Sequence, residues 1–308
     1  MQVGSSHPSP NYEAQLRELL NVGSEQLGKN LSKKNPADLL GIFQAAVRPG
    51  VSDEALTKQI FREIRKQGLN PQQTNDIRAL VLQVFPLLAN SSDTSLKYDM
   101  VEFLGANVNT ENAPELIDFA IQNKSQALLD HIFNYLGAQT GATFKCENFG
   151  PVTIELKGSN FQSLQNILPE LKLCLGEERL QIEIEPDNTT DMTALKSFVS
   201  ENGSLIISSI YDDLNLDEEN LQFLLQNTRN LCQLYIKSDK IEGDGAGLSE
   251  LRGLHHLKSL DMVRCLGLTT PPDLGGCPNL QNLTIEWCED LKTPPDLGGC
   301  PNLQNLTI

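Results

Sequence analysis

The chain has 308 residues, enough for about two domains, with 40 acidic and 24 basic residues for a net charge of -16. That excess argues against sequence-independent binding to nucleic acid or anionic lipid, which both require cationic surface. No apolar run approaches the ~20 residues of a membrane span. The start, "MQVGSSHPSPNYEAQL", has neither the basic nor the apolar region of a secretory signal.

Residues 1–11, rich in Ser, Pro and Gly, read as a disordered lead. Residues 12–140 read as an all-α domain of helices about three turns long, with short connections. Asn35-Pro36 and Asn70-Pro71 are N-cap and first-turn pairs. Ser52 is placed to cap "DEALTKQIFREIRKQG", where Leu56, Ile60, Phe61 and Ile64 form one apolar stripe and Gly68 suits the end. Further stripes are Leu39/Leu40/Phe43, Ile77/Leu80/Val84 and Met100/Val101/Leu104. The last helices are expected over 112–122 and 125–136, with Gly137 closing. Residues 141–200 read as a capping segment. "TFKCENFGPVTIELKG" alternates like strands, "NFQSLQNILPELKLCLG" reads as a helix and an apolar run, and "RLQIEIEP" as a strand.

From residue 201 the pattern is a repeat. Residues 270–285 recur unchanged as 293–308. The frames Leu231-x-x-Leu234-x-Ile236, Leu257-x-x-Leu260-x-Met262, Leu280-x-x-Leu283-x-Ile285 and Leu303-x-x-Leu306-x-Ile308 follow at steps of 26, 23 and 23 residues. "GSLIISSI" is a weaker copy, with Leu205, Ile207 and Ile210 apolar and Ser208 in place of the second leucine. Period-two alternation sends the second leucine and the isoleucine inward and the intervening residues outward. "PPDLGG" carries too much Pro and Gly for a long return helix. The chain stops at an inward position, Ile308, so the array is expected to continue, or its last strand to fray or pair elsewhere.

This spacing, with a C-x-x-L step after the strand and "PNLQNLTI" before the next, resembles cysteine-containing and plant-type leucine-rich repeats. The resemblance implies an α+β chain: a helical domain, then a short leucine-rich-repeat solenoid with a parallel β-sheet over 201–308. It also implies a non-enzymatic scaffold that binds a protein on its concave face. The outward residues are Gln233, Tyr235 and Lys237, then Ser259, Asp261 and Val263, then Asn282, Thr284 and Glu286, with Trp287 after them. Tyr235, Asp261 and Thr284 should stand in line. Aromatic side chains among them suit a binding hot spot. Residues 112–136, "NAPELIDFAIQNKSQALLDHIFNYL", resemble the C-terminal helices of BTB/POZ domains, with Asn112, Leu116, Ala120, Leu128 and Leu136 at that spacing. "MVEFLGANVNTEN" before them resembles that family's strand-and-turn approach. The BTB likeness implies a substrate adaptor in ubiquitin ligation. The identical repeats resemble families of intracellular bacteria, implying an effector acting on host proteins.

Signals for catalysis are few. The histidines His7, His131, His255 and His256 and the seven cysteines show no metal-ligand spacing. "CED" at Cys288 has the Cys-x-Asp form of a bacterial ubiquitin-ligase nucleophile, but Cys288 recurs with Cys265 at the repeat step and is read as a buried structural residue. "GDGAG" at 243–247 lacks the Lys-Ser/Thr of a phosphate loop and is read as a flexible loop. No cofactor, metal, nucleic acid or membrane span is expected. The cysteines are expected as reduced thiols in a cytoplasmic protein, or one delivered to a host cytosol. An enzyme with its site in the helical domain is the alternative from another class.

Overall fold

In the computed structural model, residues 10–22, 24–47, 54–88, 94–158, 160–212 and 216–308 are described. Helices, a mixed eight-stranded sheet and a two-stranded sheet make the chain α+β. It divides into two units: residues 1–109 with 119–132, and residues 110–118 with 133–308. Among the described residues no helix is long and apolar enough to cross a membrane.

The first unit is built from α1 (Pro10–Leu20), α2 (Ser24–Leu31), α3 (Pro36–Ala46), α4 (Glu54–Lys66), α5 (Pro71–Val84) and α6 (Thr94–Ala106). It also takes segments of α7 (Ala113–Gln122) and α8 (Gln126–Thr140). Asn35 accepts from the Asp38 amide to start α3, and Asn70 forms a reciprocal capping box with Gln73 at α5. Each cap is worth about 1 kcal/mol. The expected stripe on α4 is fully buried, from Leu56 to Ile64. Phe61 lies 5.4 Å from Phe43 and 5.7 Å from Phe103, so one ring ties α4 to both α3 and α6. Asp99, itself buried, is held by Arg62 at 2.7 Å and Arg65 at 3.4 Å. Ser52 and His7 lie outside the described residues, as do residues 1–9 of the expected lead; α1 already begins at Pro10.

Two expectations are corrected here. "MVEFLG" is no strand: it lies inside α6, where Met100, Val101, Phe103 and Leu104 turn one buried face inward at helical spacing. Nor does Gly137 close α8. The helix runs on to Thr140, whose hydroxyl donates to the Leu136 carbonyl at 2.8 Å, and Gly141 ends it at φ +71°.

The second unit carries an eight-stranded sheet. Its chain order is β1 (Thr143–Cys146), β2 (Val152–Lys157), α9 (Phe161–Gln165), α10 (Leu168–Leu175), β3 (Leu180–Glu185), α11 (Met192–Asn202), β4 (Ile206–Asp212), α12 (Glu218–Asn227) and β5 (Gln233–Lys237). Then follow β6 (Glu242–Gly243), β7 (Ser259–Val263), β8 (Gly267–Leu268), β9 (Asn282–Glu286) and β10 (Asn305–Thr307). The large sheet is ordered β1-β2-β3-β4-β5-β7-β9-β10. Only β1 is antiparallel to its neighbour, and every other pair is parallel. The sheet therefore runs unbroken from residues 143–185 into the repeats. The apolar run "LKLCL" lies in helix α10.

The returns thin along the chain. They are helices before β4 and β5, a 3-10 segment (Ala246–Gly253) before β7, and irregular turns before β9 and β10. The Pro-Pro pairs at 271–272 and 294–295 withhold amide donors, which accounts for the loss of helix. The "GDGAG" stretch is not wholly loop. It supplies β6, paired with β8, and the start of the 3-10 segment, and the Gly243 carbonyl accepts from the Thr269 amide at 2.8 Å.

The weak repeat at β4 is shifted by one residue. Ser209 and Tyr211, not Ser208 and Ile210, stand beside Leu234 and Ile236. An irregularity between β3 and β4 at Ile182/Glu183 absorbs the slip. A one-residue slip exchanges the two faces, so Tyr211 is fully buried and Ile210 is exposed. Burial pushes the Tyr211 phenol up to about 12, and Ser209 beside it opposes that rise.

Gly276 meets the preceding return, and a Cβ there would stand 1.7 Å from the Arg252 carbonyl oxygen. Gly276→Ala is expected to lower the urea-unfolding stability by about 2 kcal/mol, as overpacking against backbone does. Gly68→Ala, whose Cβ meets nothing within 4 Å, should leave the midpoint unchanged.

Candidate functional site

Register assembles the outward residues into three rows. The first is Gln233, Ser259, Asn282 and Asn305. The second is Tyr235, Asp261, Thr284 and Thr307, so the expected alignment of Tyr235, Asp261 and Thr284 is present. The third is Lys237, Val263 and Glu286. Between them Leu234, Ile236, Leu260, Met262, Leu283 and Ile285 are buried. Burying each such side chain stabilises by roughly 1.5–3 kcal/mol, which fixes the face that the other residues present.

Polar contacts run along and across these rows. Asn305 Nδ2 donates to Asn282 Oδ1 at 2.6 Å, and Ser259 Oγ to Asp261 Oδ2 at 3.4 Å. Lys237 Nζ reaches back to Asp212 Oδ1 on β4 at 2.8 Å. Two row members were not legible in the sequence. Ile210 stands beside Tyr235 and is 36% exposed, and Asp212 stands beside Lys237. Both were hidden by the β4 slip, since the repeat frame placed Ile210 in the core.

Trp287 joins no row. It lies one residue beyond β9 in the left-handed region, at φ +57°, as Arg264 does beyond β7 at φ +55°. The residue is 67% exposed, beside a recess lined by Ile285, Leu291, Pro294 and Ile308.

The same face continues over β2 and β3 with charged pairs. Glu155 and Glu183 are register partners, Lys145 binds Glu155, and Lys157 binds Glu185 at 2.6 Å. Burial, and then the Glu155 charge, raises the Glu183 carboxyl above its ordinary value, with Lys145 opposing. Strand alternation in "TIELK" and "LQIEIE" was the available signal for this extension of the face.

The cysteine expectation needs correcting. Cys265 is fully buried, but Cys288 is only half-buried. Cys288 Sγ donates to the Glu286 carbonyl at 3.5 Å and to the Met262 carbonyl at 3.9 Å. The neighbouring Cys265 thiol lowers Cys288 against the effect of burial. Cys265 is raised, by the neighbouring Cys288 first and by its own burial second. The other repeat pair differs: Cys277 and Cys300 are both buried and donate to the Leu251 and Leu274 carbonyls at 3.2 and 3.6 Å. Burial pushes Cys277 up to about 12.

His131 is paired with Glu102 at 3.2 Å on the helical unit, and His255 Nδ1 lies 2.9 Å from the Gly276 carbonyl. No group of three metal-ligating side chains gathers among the described residues. A recess in the helical unit offers Lys97, Tyr98, Lys124 and Ser125, without a carboxylate, thiol or imidazole in its lining. No protein-family model matches the chain, and none of the curated proteins does.

Glu183→Gln is expected to raise the thermal midpoint at pH 7. The carboxylate's folded value is raised, so its charged form opposes folding. The gain should be full above the folded pKa and gone below about pH 4, where both states are protonated. Melting curves across that range check the sign.

Proposed function

We propose that the chain is a protein-interaction scaffold whose repeats form a short leucine-rich-repeat solenoid, and that a protein partner seats on the outward face of β5, β7 and β9. The observation that carries this reading is the alignment of Tyr235, Asp261 and Thr284 into one row, flanked by the rows of Gln233 and Lys237. Each repeat adds one side chain to each row, so neighbouring repeats build a surface that no single repeat has. Half-exposed polar side chains there offer directional hydrogen bonds, and the buried leucines behind them hold those groups in place. Ile210 gives the central row an apolar neighbour, and Trp287 flanks the face with a large exposed ring.

The test uses the immobilised full chain, a cell extract, and then titration of the main captured protein. Replacing Tyr235, Asp261 and Thr284 together with Ala should weaken its Kd at least ~30-fold, the effect of losing about 2 kcal/mol of hot-spot contact. His256→Ala, exposed outside the rows, should bind as wild type. If the triple variant binds unchanged and Tyr98→Ala on the helical unit abolishes binding, the surface lies elsewhere.

A further inference from the structure

We propose that Cys288 and Cys265 form a peroxide-reactive dithiol: the outer thiol is oxidised, and the inner thiol resolves it into a disulfide between adjacent repeats. This inference rests on the thiols and does not depend on what the sheet binds.

The geometry starts from register. Strands β7 and β9 pair up to Val263 and Glu286, and the Arg264 amide then donates to the Glu286 carbonyl at 2.9 Å. Each strand ends in a left-handed residue, Arg264 or Trp287. The next residues, Cys265 and Cys288, thus occupy the same turn position one strand spacing apart, about 4.8 Å. Disulfides accept Cα separations of roughly 4.4–6.8 Å. The side chains run alike: Cys265 Sγ lies 3.9 Å from the Val263 carbonyl, and Cys288 Sγ 3.5 Å from the Glu286 carbonyl.

Exposure divides the roles. Cys288 is half-buried and open to a small oxidant, whereas Cys265 is sealed in the core. The neighbouring Cys265 thiol favours the Cys288 thiolate, the nucleophilic form, against the effect of burial. The pair Cys277/Cys300 has the same 23-residue separation but lies buried on both sides, so it serves as an internal comparison. Cys174 is exposed, yet desolvation and then the Glu170 charge hold its thiol up.

The chemistry balances with a hydroperoxide as oxidant. The Cys288 thiolate attacks the terminal peroxide oxygen. An S–O bond forms, the O–O bond breaks, and the alkoxide leaves with a proton as the alcohol. Cys265 sulfur then attacks Cys288 sulfur. The S–S bond forms, the S–O bond breaks, and hydroxide leaves with the Cys265 proton as water. The dithiol loses two electrons and the peroxide gains them.

The test oxidises the full chain with hydrogen peroxide, alkylates the remaining thiols, and maps the peptides. Trypsin cannot separate the two cysteines, because no Lys or Arg lies between Cys265 and Lys292. Added cleavage at Glu286 separates them unless they are linked. The expected result is a Cys265–Cys288 link, with Cys277 and Cys300 alkylated. Before oxidation, Cys288 should alkylate about tenfold faster than Cys174 at pH 7. C277S should keep the link. C265S should stop at a Cys288 sulfenic acid trapped by dimedone. Oxidation should also shift the fluorescence of the sole tryptophan, Trp287, and C288S should abolish the shift. Oxidation of Cys174 with no Cys265–Cys288 link in the wild-type chain, or the same linked mass in C265S, would overturn the proposal.

Discussion

The sheet unit depends on parallel pairing in register at a step close to the repeat length. Leu234, Leu260 and Leu283 stand side by side, as do Ile236, Met262 and Ile285. Their burial holds the register, because a slip of one residue would move each apolar set to the solvent face. From β5 to β9 the partner step is 26 and then 23 residues. The returns absorb that difference without disturbing the strands. The outward rows, the thiol pair and the close approach of Gly276 to the preceding return all follow from this stacking.

Where the sequence was regular, its physical reading held. The Asn-Pro caps, the α4 stripe and the inward-outward alternation of β5, β7 and β9 are local consequences of side-chain chemistry, and the structure has them, whereas on β10 the expected inward residues Leu306 and Ile308 are exposed. Reading failed where a distant constraint outweighed a local one. At β4 the serines of "IISSIYD" blur the alternation, and burial of Tyr211 selects a register the repeat frame does not indicate. Helix α8 passes through Gly137 because Thr140 and Gly141 end it better. In "MVEFLG" the expected helical stripe of Met100, Val101 and Leu104 is present, and it was the resemblance to a strand-and-turn approach that failed. Cys288 looked buried because it recurs with Cys265, but equal positions in a repeat need not have equal neighbours.

The candidate face joins two kinds of chemistry. Over β2 and β3 it is charged and self-paired, with Lys145 and Lys157 engaged by glutamates. Over β5, β7 and β9 it is polar and weakly charged, with Ile210 beside Tyr235 and Trp287 at its flank. Exposed ion pairs contribute little to stability or affinity, so the proposed function assigns the discriminating contacts to the second region. A chain of net charge -16 also steers association toward partners that present basic surface.

Amide hydrogen exchange on the complex of the full chain with its captured protein tests the central claim most directly. The account predicts added protection over residues 233–237, 259–263 and 282–287, with the helices of the first unit exchanging as in the free chain. Protection confined to those helices, with the three strands unchanged, would contradict it.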